Sequence, residues 1–188
     1  MSKAFVKEDD SRVDSAPEIE FDARADIPPG AKNYMTPKGA RKLRSELEVL
    51  LNENRPRLLE RVNRSDPLER EPAVDEIREA RKQLRKIDRR IDFLIKRLEL
   101  TEIVDPSQVL SNRVKFGASV RLQHEDGSIT DYQIVGIDET DLRRGRISWT
   151  SPLAKAILDT KAGDVITFKS PAHEEEVEIL SVRYEDIS

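Results

Sequence analysis

The chain has 188 residues, 37% of them hydrophobic and 37% charged, with a net charge of −4 and no cysteine. That balance excludes disulfide scaffolds, thiolate catalysis and sulfur-ligated metals, and it argues against generic binding to DNA or to a membrane surface. A low apolar share with many charges suits a coiled coil, where each helix buries one stripe and solvates the rest.

Residues 1–33 are polar and acid-rich, show little periodicity, and close near Pro28-Pro29-Gly30. A disordered acidic tail is expected there. Structure is expected from Tyr34-Met35-Thr36-Pro37, with Thr36 as N-cap and Pro37 at the first helical position. Ala40, Leu43, Leu47, Leu50 and Leu51 then share a face, continued past Pro56 by Leu58, Leu59 and Val62. Pro56 has no amide donor and crowds the preceding turn, so the helix should bend or break locally. Asn54, near the seam, is of the type that fixes register.

A second helix is expected from Val74 to Leu100. Its apolar residues Ile77, Ala80, Leu84, Ile87, Ile91, Leu94 and Leu98 alternate in steps of three and four, the signature of a heptad seam. The ~27 residues at ~1.5 Å each make a rod of about 40 Å. A rod that long projects beyond a small domain, which suggests that it reaches into something. The two helices should pair as an antiparallel hairpin over residues 34–104, with its tip at residues 63–73.

The tip carries Asp66, Glu69 and Glu71, with Asp75 and Glu76 just inside the second helix. Acids in a helix's first turn complement its dipole, so the last two also have an ordinary explanation. Residues 78–97 hold nine basic side chains against three acidic ones. Arg78, Lys82, Arg85 and Arg89 lie outside the seam. They read either as a stripe for an RNA backbone or as a solvated face balanced by Glu46, Glu48, Glu53 and Glu60.

Residues 105–113 read as a linker and 114–188 as a compact sheet domain. Strands are expected at Val114–Phe116, Ser119–Gln123, Ile129–Val135, Arg146–Thr150, Val165–Lys169 and Val177–Tyr184, with a turn at Glu125-Asp126-Gly127-Ser128. A short helix, Leu153–Leu158, should be capped by Ser151 with Pro152 at its first position. The fold class is α+β: a long helical hairpin followed by an antiparallel sheet domain with one short helix.

An active site of its own is not expected. His124 and His173 fall near turns without metal-ligand spacing, and no glycine-rich phosphate loop or activated serine motif occurs. Exposed tip carboxylates alone are weak magnesium ligands and would matter mainly beside a metal held by another protein. No signal-peptide core and no run of ~18 apolar residues is present, so a cytoplasmic location without membrane contact is expected.

Three stretches resemble the bacterial Gre transcription elongation factors, of the GreA/GreB type and closer to GreB. Met35-Thr36-Pro37-Lys38-Gly39 with Leu43, Glu46, Leu47 and Arg55-Pro56 is similar to the family's first helix. Leu84-Arg85-Lys86-Ile87-Asp88-Arg89-Arg90-Ile91 is similar to its second. Most specific is Ser148-Trp149-Thr150-Ser151-Pro152-Leu153-Ala154-Lys155-Ala156-Ile157-Leu158, closed by Gly163-Asp164.

The resemblance implies an FKBP-like C-terminal domain that docks on the rim of RNA polymerase's secondary channel through Thr150, Ser151, Pro152 and Leu153. It implies a monomer whose hairpin passes down that channel toward the catalytic magnesium, with nascent RNA as a second candidate partner. No cofactor of its own is implied; Mg2+ is held by the polymerase. In the family an Asp and a Glu at the tip help hold a second magnesium for RNA cleavage. Counting without gaps places Arg70 and Ala73 at those positions, and only Glu76 keeps the motif's acidic character. Alanine offers no oxygen, and an arginine ~4 Å from a divalent ion is repelled by about 8 kcal/mol at an effective dielectric near 20. Thr150 stands where the family usually has an aspartate. The expected function is therefore a Gre-like regulator without conventional cleavage stimulation. Alternatives are a cleavage cofactor that uses Glu69 or Glu71, and a coiled-coil adaptor for an unrelated protein.

Overall fold

The structure, a computed structural model, describes residues 27–63, 71–169 and 174–185. The expected tail up to residue 26, the tip segment 64–70 and His173 lie outside these residues.

The chain opens with strand β1 (Asn33–Met35) and helix α1 (Pro37–Val49). Thr36 caps the helix as its sequence suggests: the Gly39 amide donates to Thr36 Oγ1 at 3.1 Å, and Pro37 occupies the first turn. Leu50–Asn54 forms a π-helical turn, after which helix α2 (Arg55–Asn63) resumes. The Arg55 amide donates to the Leu50 carbonyl, five residues back. This wider turn sits directly before Pro56, whose ring would otherwise press on the carbonyl four residues earlier.

The π turn also rephases the seam. Leu58 comes one residue later than a heptad step from Leu50, and at ~100° per residue a regular helix would carry it about 80° around the axis. A wider turn absorbs that surplus. Leu58 is buried and Val62 half-buried, whereas Arg57 and Arg61 face solvent.

Helix α3 (Glu71–Glu99) runs unbroken and packs against both α1 and α2. Its expected seam holds: Ala80, Ile91 and Leu94 are buried, and Ile77, Leu84, Ile87 and Leu98 are half-buried. Met35, Ala40, Leu43 and Leu94 form the root of the hairpin core, with Leu47, Leu50, Phe93 and Leu98 against them. Cross-helix ion pairs fix the antiparallel register, Arg90 to Glu46 at 2.7 Å and Arg55 to Asp88 at 2.8 Å. Strand β2 (Thr101–Ile103) then pairs with β1 in parallel, a pairing not expected from either short segment alone.

The remaining strands are β3 (Ser119–His124), β4 (Ile129–Val135), β5 (Arg146–Ser148), β6 (Val165–Lys169) and β7 (Glu174–Arg183), with helix α4 (Pro152–Ile157) between β5 and β6. They form one sheet in the order β5-β4-β3-β7-β6. The sheet is antiparallel as expected, with one parallel pairing, between β4 and β5. Alternation is clean on β3: Val120 and Leu122 are buried, while Arg121 pairs across the outer face with Asp131 at 2.8 Å. Val114, Val120, Leu122, Ile134, Ile147, Ala154, Ile157, Val177 and Ile179 meet in one core beneath α4.

Three strand expectations shift. Val114–Phe116 is not a strand; Val114 instead exchanges backbone hydrogen bonds with Asp159 and Thr160, in the loop after α4. Strand β5 stops at Ser148 rather than Thr150, because Ser148 Oγ accepts from the Thr150 amide and turns the chain into the α4 cap. Strand β7 begins at Glu174, before the expected Val177, and ends at Arg183.

Candidate functional site

Helix α4 presents the first group of candidate residues. Ser151 Oγ accepts from the Ala154 amide at 3.2 Å and Pro152 opens the helix, so the sequence-predicted cap is real. Thr150 is tied by its hydroxyl to Ser148 Oγ at 2.7 Å. Thr150, Ser151 and Leu153 are half-buried and Pro152 is exposed, so the four make one small, semi-apolar surface.

The tip candidates are elsewhere. Asp66 and Glu69 lie outside the described residues, and Glu71 is the first residue of α3, with its side chain undescribed. Asp75 and Glu76 are exposed one turn further along, and Asp75 accepts from Arg78 at 3.3 Å. From Asp75 to Arg97 the helix rises roughly 33 Å at ~1.5 Å per residue. Asp75 and Glu76 are thus set off from the root of α3 by that length. Arg78, Lys82, Arg85 and Arg89 are all exposed, and their spacing puts them on one flank of α3. Among the described residues, Lys82, Arg85 and Arg89 have no carboxylate partner, whereas the balancing acids Glu46 and Glu53 are engaged by Arg90 and Arg57. A groove on this flank is lined by Ile77, Arg78, Arg81 and Arg85.

What joins the arm to the sheet was not visible in the sequence. After β4 the chain makes a 3-10 turn, Ile137–Glu139, and its two carboxylates bind different ends of the hairpin. Asp138 accepts from Arg97 Nε at 2.8 Å, near the end of α3, and from Asn33 Nδ2 at 3.4 Å. Arg97 is only 1% exposed, so this is a buried pair rather than a surface one. Glu139 accepts from the Thr36 amide at 2.9 Å and from the Gly136 amide at 3.1 Å, and it binds the Thr36 hydroxyl as well. Beside the carboxylates, Tyr34 packs edge-on against Trp149 at 5.5 Å between ring centres, and against Phe116 at 5.8 Å. Trp149 Nε1 is buried there without a protein acceptor.

Arg97, one of the nine basic residues of the 78–97 stretch, lies in the joint rather than on the solvated face of α3. The one clue in the sequence was Gly39, the third residue of α1, where a glycine in place of a better helix former marks a close approach. Asp138 and Glu139 gave no signal, since acids after a strand are ordinary loop composition.

Electrostatic shifts follow the ion pairs. A hydrogen bond from Arg90 holds the Glu46 carboxyl below its usual range, and Arg90 is raised in turn. Asp131 is lowered by its hydrogen bond from Arg121, while burial raises the Tyr184 phenol. Among the described residues no group of three or more acids or histidines is placed to hold a metal ion. No described helix is long and apolar enough to cross a membrane.

The described residues make a two-helix arm joined to a small mixed sheet module. Two family profiles match it: "Transcription elongation factor, N-terminal" over residues 33–103 and "Transcription elongation factor, GreA/GreB, C-term" over residues 109–184. The chain is 41% identical over 154 residues to transcription elongation factor GreB of Neisseria meningitidis serogroup B, covering 81% of this chain and 94% of that protein. It is 37% identical over 156 residues to transcription elongation factor GreA of Alkalilimnicola ehrlichii, covering 82% and 99% respectively. Among solved structures, GreA factor homolog 1 of Thermus thermophilus aligns at 21% identity and a TM-score of 0.38, over 81% of this chain and 99% of that one. The chain belongs to the GreA/GreB family of transcription elongation factors, with its stronger likeness to GreB, and it is not itself an enzyme.

Proposed function

We propose that this protein binds RNA polymerase in its secondary channel, directs the hairpin tip at the catalytic magnesium, and does so without conventional stimulation of transcript cleavage. The observation that carries the reading is the tip sequence: Arg70 and Ala73 stand where the family's motif places its metal-holding acids. Neither supplies a carboxylate oxygen, and magnesium requires such ligands at ~2.0–2.1 Å. The arm and α4 surface fit a division of labour. Thr150, Ser151, Pro152 and Leu153 dock, while Glu69, Glu71, Asp75 and Glu76 approach the active site with Asp66. Any magnesium involved belongs to the polymerase. Arg78, Lys82, Arg85 and Arg89 line the arm's flank, where nascent RNA is the fitting polyanion.

The test is RNA cleavage in arrested complexes reconstituted with core polymerase. The expected result is cleavage at the polymerase's own rate, together with competition against a cleavage-active relative. Stimulated cleavage that Glu69→Ala or Glu71→Ala abolishes would overturn this reading in favour of a rearranged tip. Absence of any polymerase binding would overturn both.

A further inference from the structure

We infer that the turn Ile137–Glu139 sets the direction of the hairpin, with Asp138 and Glu139 as positioning residues that fix where the tip points. Two observations combine. Neighbouring carboxylates on one short turn hold both ends of the hairpin root: Asp138 takes Arg97 of α3, and Glu139 takes Thr36, the cap of α1. Both contacts are shielded: Arg97 is 1% and Asp138 16% exposed in one, and Thr36 is 1% exposed in the other. Two anchors on different helices define an axis, which one anchor cannot.

Tyr34 on Trp149 and Phe116 adds apolar packing to the joint, whose main driving force, burial of apolar area, is non-directional. The carboxylate bonds at 2.8 and 2.9 Å weaken steeply when bent, so they resist rotation. The backbone at this joint is also closely set: a Cβ on Gly136 would lie 2.7 Å from the Tyr34 carbonyl oxygen. Side chains on the turn are thereby held against β1, with little room to choose other partners.

The geometric part stands on the free protein; its consequence for transcription rests on the channel reading above. The chain has no cysteine, so a pair introduced by Lys86→Cys and Arg143→Cys, both at exposed positions, takes spin labels uniquely. Pulsed dipolar spectroscopy then reads the distance between arm and sheet. The expected result is one narrow distribution in the parent, broadened at least twofold in Asp138→Ala/Glu139→Ala, with far-UV circular dichroism unchanged. Asp131→Ala, which removes an ion pair on the outer face of the same sheet, should leave the width as it was. If the double variant loses its secondary structure, Asp138→Ala and Glu139→Ala made singly each release one anchor and are read the same way. A folded variant with an unchanged distribution overturns the inference. Failure of the parent to bind polymerase overturns the functional reading alone, because the distance measurement needs no polymerase.

Discussion

Glu139 fills the space into which a methyl group on Gly39 would project: an ideal Cβ there overlaps the Glu139 carboxyl group. Gly39 thus belongs to the joint as much as to α1. Alanine is ordinarily the better helix residue by ~1 kcal/mol. Here Gly39→Ala should displace Glu139 from Thr36 and destabilise the protein by about 1–2 kcal/mol, the cost of lost charge-assisted hydrogen bonds. In a Glu139→Ala background the same change should become neutral or stabilising. Thermal unfolding of the four proteins measures the coupling, and a stabilising Gly39→Ala in the parent would contradict the clamp.

Removing one partner of the Arg97–Asp138 pair should cost more than removing an exposed pair. Asp138→Ala takes the carboxylate from a guanidinium that is 1% exposed, with an expected loss of about 2–3 kcal/mol, the cost of a charge-assisted hydrogen bond in a shielded place. Asp131→Ala, which breaks the exposed pair with Arg121, should cost about 1 kcal/mol or less. Urea denaturation would show the contrast as a large midpoint shift in one variant and a small one in the other.

The pair between Arg90 and Glu46 predicts a pH dependence with a definite sign. The Glu46 carboxyl is held below its ordinary value of 4.5 by the hydrogen bond from Arg90. A depressed carboxylate contributes stability that is present above the ordinary value and lost as pH falls through the folded one. Both side chains are more than a third exposed, so the contribution is about 1 kcal/mol at most. Glu46→Gln should lower stability near neutral pH, and the two proteins should converge as pH falls through the lowered value of the folded carboxyl. A difference that persists undiminished in acid would refute the assignment.

Pro56 should be nearly harmless where it stands. An interior proline usually costs ~3 kcal/mol through its clash and its missing donor. The π turn Leu50–Asn54 already relieves the clash, and the seam requires that turn whatever residue follows. Pro56→Ala is therefore expected to stabilise by less than ~1 kcal/mol. A gain approaching the full interior penalty would show that proline, not the seam, dictates the turn.

The chain has one tryptophan, and it sits in the joint. Tyr34→Ala should admit water to the Trp149 ring, whose Nε1 is buried without a protein acceptor, and shift its emission to the red. Unchanged emission would place the two rings apart in solution.

The sequence announced those parts whose cause is local. Heptad steps along α3, Thr36 and Pro37 opening α1, and Ser151 and Pro152 opening α4 each follow from side chains acting on their own backbone, and each stands as expected. Pro56 marked an interruption, but not its form, because the π turn also answers the phase of Leu58 against a helix elsewhere in the chain. The short pairing of β1 with β2 and the two carboxylates at 138 and 139 depend on segments far apart in sequence, where periodicity carries no information. Of the candidate residues, Ser151 and Pro152 were legible as a helix cap, while a docking role for that surface is implied by the family resemblance alone. Arg97 was not: a basic residue on a basic helix reads as solvated until its burial against Asp138 is seen.

Helix α3 is 29 residues long, about 43 Å at ~1.5 Å per residue, and its root is gripped within a few ångströms. Mechanically this is a lever with its fulcrum at one turn. A sideways load at the far end bears on that fulcrum with on the order of tenfold advantage, given the ~1.5 Å rise per residue. A load on the far end of the helix would therefore be felt first at Asp138 and Glu139.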